Sequence, residues 1–165
     1  MKIHTFLLTA LFCFILGNVS AQEKAKKSQE TVETDMGRVE SLLQSKNFEF
    51  KASTVTPANG TPKNLVGSGY SVIFSPEEVI SNLPFYGRAY SGMKLGKDKG
   101  LKFQGKPENF SIENAKGYQI STTVNDDEVY EIVLSVSKSG YATLTVTSNA
   151  RGTINYQGEI AKVSR

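Results

Sequence analysis

Residues 118–147 read YQISTTVNDDEVYEIVLSVSKSGYATLTVT, and this stretch decides the fold. Tyr118, Ile120, Thr122 and Val124 occupy every second position, as do Ile132, Leu134 and Val136, and then Leu144 and Val146. Glu131, Val133 and Ser135, and later Tyr141, Thr143 and Thr145, stand between them. A period of two sends successive side chains to opposite faces of a strand, so each segment has one face for a core and one for water. Asp126-Asp127 and Ser139-Gly140 break the alternation with residues that favour tight turns. Three strands joined by two short turns make an antiparallel meander.

The same rhythm extends both ways. Downstream, Asn149–Gly152 is a turn, and Ile154, Tyr156, Gly158 and Ile160 form a closing strand. Upstream, Asn114–Gly117 separates the meander from a strand opened by Leu101 and Phe103. Gly87–Gly100 is glycine-rich and carries Lys94, Lys97, Asp98 and Lys99. A phosphate loop would need Gly-Lys-Ser/Thr leading into a helix, which this segment lacks, so it reads as a surface loop. Tyr70, Val72 and Phe74 mark another strand. Ser75-Pro76-Glu77-Glu78 fits either a helix-capping box or a type I turn. The short distance to Pro84 and the β-branched Val79-Ile80 favour a turn and a short strand. Thr56–Pro62 is loop chemistry, and Phe48, Phe50 and Ala52 alternate with Glu49, Lys51 and Ser53.

Before Asn47 the period lengthens. Val32, Met36, Val39 and Leu43 share one face of a helix spanning Glu30–Ser45, with Leu42 widening the stripe. Ser28 or Thr31 can cap its start, and Asn47 can close it in the left-handed region. The predicted architecture is mainly β. It is an antiparallel meander of about seven strands, a curved sheet or partly open barrel, with one N-terminal amphipathic helix docked on it.

The first 21 residues have the pattern of a secretory signal. Lys2 is followed by an apolar run from Phe6 to Leu16, and Val19-Ser20-Ala21 fits the small-residue cleavage rule. The run is about half the ~20 apolar residues of a membrane span, which argues against a retained anchor. Cys13 lies inside the run behind bulky Phe12, a poor setting for lipid attachment. The expected organisation is a signal at 1–21, a flexible leader at 22–29 and a single domain at 30–165. The mature chain is expected in the periplasm or secreted, without stable membrane insertion.

Composition narrows the chemistry. The only His is His4, the only Cys is Cys13, and there is no Trp. Loss of the signal would leave no Ser-His-Asp triad, no Cys-His nucleophile, no disulfide and no zinc site built on His or thiolate. The 19 basic and 16 acidic residues are interspersed, which gives no reason to expect a nucleic-acid partner. Asn125 and Asp126-Asp127-Glu128 offer oxygens for calcium but lack the one-apart spacing and the glycine of such a loop, so they read as a turn. Glu77-Glu78, or Glu108 with Glu113, invoke a glycosidase pair, whose separation across a cleft the sequence does not set. No cofactor and no metal are expected.

One segment concentrates interface chemistry. Leu83-Pro84-Phe85-Tyr86-Gly87-Arg88-Ala89-Tyr90 places Phe85, Tyr86, Arg88 and Tyr90 together, residues that combine contact area with a polar or charged tip. Packing within the sheet is the competing role for the aromatics. The leading expectation is a non-catalytic binding module for an envelope protein or glycan, using this segment or an exposed sheet face. A carrier of a small apolar ligand in a β-sheet cavity is the alternative. A carboxylate-based hydrolase comes third.

This segment, together with Lys46-Asn47-Phe48-Glu49-Phe50, Gly100-Leu101-Lys102-Phe103, Ser139-Gly140-Tyr141-Ala142-Thr143-Leu144-Thr145-Val146 and Ile154-Asn155-Tyr156-Gln157-Gly158, resembles the DUF4251 family of small exported Bacteroidota proteins. The family usually has Tyr-Phe where this chain has Phe85-Tyr86, and often a Pro-Tyr after the block that is missing here. The resemblance covers roughly Lys46 to Ile160. It implies export and a β fold, and it implies no activity.

Overall fold

Alternation becomes register in the folded chain. The computed structural model describes residues 37–57, 60–86, 100–114 and 116–164. The expected signal and leader, the upstream part of the helix, residues 87–99 and with them Arg88 and Tyr90 lie outside the described residues. Residues 37–44 form α1. Ten strands follow: β1 (Phe48–Thr56), β2 (Lys63–Asn64), β3 (Ser71–Phe74), β4 (Val79–Leu83), β5 (Leu101–Gly105), β6 (Pro107–Asn114), β7 (Tyr118–Asn125), β8 (Val129–Val136), β9 (Tyr141–Ser148) and β10 (Gly152–Ala161). They make one antiparallel sheet in the order β5-β4-β3-β1-β10-β9-β8-β7-β6, with β2 paired to β1.

The expectation of about seven strands is corrected to ten. β2 has only two residues, too few for a period to appear. β6 opens on Pro107 and bulges between Glu108 and Ser111, where Asn109 takes a φ of 53°. A bulge puts an extra residue against one partner, and that erases the alternation by which a strand is recognised.

Topology curls the sheet. β5 and β6 lie at its two edges, yet only Lys106 separates them. The chain crosses from one edge to the other in one residue, so the edges must approach each other. The Gln104 N–H donates to Asp126 Oδ2 at 2.9 Å, and the Phe103 ring stacks on Tyr130 with centroids 4.1 Å apart. A Cβ on Gly105 would stand 2.8 Å from the Asn125 carbonyl oxygen, so only glycine permits this approach. The result is a nearly closed, barrel-like sheet.

The interior is built in cross-strand rows. Ile120, Leu134, Leu144 and Tyr156 face one another on β7 to β10, and Thr122, Ile132, Val146 and Ile154 form the next row. All are buried, and Phe48, Phe50, Phe74, Leu83 and Leu101 fill the opposite wall. Each such aliphatic or Phe side chain contributes about 1.5–3 kcal/mol by leaving water. Gly158 opposes Ala52 where β1 bulges at Ser53, and a Cβ there would collide with the Lys51 carbonyl oxygen. The described part of α1 buries Val39 and Leu43, with Leu42 partly covered, as its stripe requires. Lys46, not Asn47, takes the left-handed conformation after the helix (φ 52°). Ser75–Glu78 is a turn closed by the Ser75 hydroxyl, and β4 follows it. No helix among the described residues is long and apolar enough to cross a membrane.

Candidate binding surface

The Pro84 segment is anchored before it leaves the described residues. The Tyr156 hydroxyl, inside the barrel, donates to the Pro84 carbonyl at 2.7 Å. Phe85 is 7% exposed and belongs to the core, not to a free surface. Tyr86 points the other way and is 41% exposed, with Lys63 Nζ 4.1 Å from its ring centroid. Alternation alone accounts for this split, since adjacent residues in extended chain face opposite sides.

The neighbouring end of the barrel is closed by polar groups. Arg151, in the β9–β10 turn, donates from Nε to Glu128 Oε1 at 3.1 Å, and its Nη1 donates to the Gly100 carbonyl. Ser148 Oγ donates to Glu128 Oε2 at 2.7 Å and accepts from the Arg151 N–H. The side chains of this pair are only 12% and 19% exposed, so the pair is shielded from water. The three acids that offer oxygens for calcium turn to four different partners: Asp126 to the Gln104 N–H, Asp127 to the Tyr130 hydroxyl, Glu128 to Ser148 and Arg151. They fasten one hairpin tip to its neighbours. Burial, then the hydrogen bond to Asp127 and the charges of Asp127 and Glu128, hold the Tyr130 phenol well above its ordinary value near 10, with Arg151 opposing. Burial and nearby Glu40 also raise Tyr118.

The outer face of β7 to β10 is different. Gln119, Ser135, Thr143 and Gln157 lie opposite one another in one outward row. Ser121, Val133, Thr145 and Asn155 form the next. Neither row contains an ionisable side chain. The first row floors an open trough of about 920 Å³, bordered by Ser53, Glu113, Lys116 and Tyr141. Tyr141 is 71% exposed and also borders a smaller trough of about 360 Å³ that includes Val66, itself 72% exposed. The facing of Tyr141 and Thr143 away from the core was readable from their alternation with Leu144 and Val146. Their meeting with Gln119 and Gln157 was not, because it depends on the register of four strands.

Residues 29–160 match the family model of DUF4251, described as a domain of unknown function. The chain belongs to the DUF4251 family. Among solved structures it is similar to the crystal structure of a DUF4251 family protein from Bacteroides eggerthii DSM 20697, at 15% identity and a TM-score of 0.60. The likeness covers 78% of this chain and 88% of that one, and it is a likeness of fold. No curated protein matches the chain. The DUF4251 fold here therefore carries a nearly closed barrel whose interior is occupied by its own side chains and whose outer wall holds the trough.

Proposed function

We propose that this chain is an exported, non-catalytic binding module of the periplasm or extracellular space, and that the outer face of β7 to β10 is its contact surface. The observation that carries this reading is the Tyr141 trough, where an exposed aromatic ring borders two outward rows of β7 to β10 that hold no ionisable side chain. Large aromatics with a polar tip are the side chains that most often anchor interfaces. The wall is also rigid, because each of its strands is paired on both sides. Tyr86, over Lys63, offers a second exposed aromatic, and Phe85 serves as the anchor beneath it. The aromatic-filled interior, with Tyr130, Tyr156 and Phe48 fully buried, favours surface binding over the carrier alternative.

Immobilised protein, incubated with an envelope extract, tests the proposal. The wild type is expected to retain a component that Tyr141→Ala loses while its melting temperature stays unchanged. Equal retention by both proteins overturns the assignment of this face.

A further inference from the structure

The floor of the trough differs from the rows beside it in what its polar groups do. Elsewhere on the outer wall hydroxyls and amides pair with each other. Thr145 Oγ1 donates to Asn155 Oδ1 at 2.8 Å, the Thr147 and Thr153 hydroxyls share a hydrogen bond at 3.0 Å, and Ser111 and Ser121 share one at 2.7 Å. Among the described residues, the side chains of Gln119, Ser135, Thr143 and Gln157 make no hydrogen bond within the protein. Two carboxamides and two hydroxyls thus face outward on four adjacent strands, a line of about 14 Å at the usual ~4.8 Å strand spacing. Each carboxamide both donates and accepts, and so does each hydroxyl. Tyr141 stands two residues from Thr143 on the same face and adds an apolar ring with a hydroxyl tip.

The occupant that fits has no net charge, since the floor row carries none and the bordering Glu113 and Lys116 are of opposite sign. It carries closely spaced groups that donate and accept, and it has an apolar face to lie on a ring. An acyl chain would leave the amides without partners. A nucleic acid would need basic side chains along the row. A peptide adding as a strand would need an open edge, and β7 to β10 have none. A chain of neutral sugars meets every condition, because its rings carry hydroxyls at their rims and C–H groups on their faces.

We propose that Gln119, Ser135, Thr143, Gln157 and Tyr141 form a subsite for a neutral oligosaccharide laid across β7 to β10. This inference rests on the binding-module reading above and supplies its ligand class. Isotope-labelled protein is titrated with five neutral trisaccharides, those of cellulose, starch, chitin, β-mannan and β-galactan, and backbone amide signals are followed by NMR. At least one sugar is expected to shift the amides of Gln119, Ser135, Thr143 and Gln157 in a saturable way. Tyr141→Ala and Gln157→Ala should each weaken that binding about fivefold or more, as loss of a contact residue does, while Tyr141→Phe keeps most of it. Both positions are exposed, so unchanged spectra of the three variants elsewhere establish that they fold. Absence of saturable shifts on this row with all five sugars, or shifts indifferent to Tyr141→Ala, overturns the oligosaccharide. If the sugars are silent but Tyr141→Ala still loses its component from the envelope extract, the ligand class falls and the binding surface stands. If both fail, both readings fall.

Discussion

At the Arg151 end of the barrel, Glu128 accepts from Ser148 and from Arg151, Arg151 reaches on to the Gly100 carbonyl, and Asp127 accepts from Tyr130. Around the trough, Gln119, Ser135, Thr143 and Gln157 bring similar functional groups to the surface, and among the described residues their side chains hydrogen-bond to none of their neighbours. Both regions are polar and both sit on the same strands. In the first, Arg151 and Glu128 are shielded and paired, as partly buried charge must be. The second is in water, where an unpaired hydroxyl costs nothing and remains available. Polar side chains that hold a barrel shut and polar side chains that can meet a partner are thus told apart by their commitments, not by their chemical type.

Replacing neighbours on one strand gives the largest effect. Leu134 is fully buried and Ser135, next to it, faces the trough. Leu134→Ala should cost about 2–5 kcal/mol, the usual range for a large-to-small change in a core. Ser135→Ala should stay within about 0.5 kcal/mol. Denaturant midpoints check the pair, and similar losses at both sites would mean that the outer wall is covered in the native protein. Glu128→Ala comes next. It strips the shielded Arg151 and Ser148 of their acceptor, and a lost hydrogen bond to a charged group costs about 1.5–3 kcal/mol. Thr143→Ala, which breaks no hydrogen bond, is the control. A neutral outcome for Glu128→Ala would show that water replaces the carboxylate and that the end of the barrel is not sealed by it.

The strands on either side of this comparison were readable to very different degrees. β7 to β10 alternate strictly, so their facing, their turns and the outward position of Tyr141 follow from residue order alone. β6 did not, because Pro107 and the bulge at Asn109 remove its period. Closure of the sheet was hidden for the same reason: it depends on β6 continuing directly from β5 at the far edge. At the nominated segment the sequence identified aromatic chemistry, but burial of Phe85 and exposure of Tyr86 turn on which face the chain presents as it leaves β4. The roles of Asp126, Asp127 and Glu128 were legible as a turn. Their partners were not, since three of the four, Gln104, Ser148 and Arg151, arrive from other parts of the chain.

Two tyrosines sharpen the contrast with the smallest change, removal of one oxygen. The Tyr130 hydroxyl is buried and donates to Asp127 at 2.7 Å, whereas Tyr141 stands 71% exposed beside the trough. Tyr130→Phe should cost about 1 kcal/mol near neutral pH, the net worth of one intramolecular hydrogen bond, and Tyr141→Phe should cost nothing measurable. Alkaline pH separates them further. The folded state holds the Tyr130 proton more tightly than the unfolded chain does, because its phenol is raised above the ordinary value near 10. A raised phenol adds stability that is fully present below the unfolded value and is lost as pH climbs above it. Wild-type stability should therefore fall as pH rises beyond about 10. Tyr130→Phe should flatten that fall, with Tyr118, raised in the same direction, leaving part of it in place. Denaturant midpoints measured from about pH 8 to pH 11 read the slope directly. An alkaline slope identical in wild type and Tyr130→Phe would mean that the phenol ionises as readily folded as unfolded, and that this end of the barrel admits water.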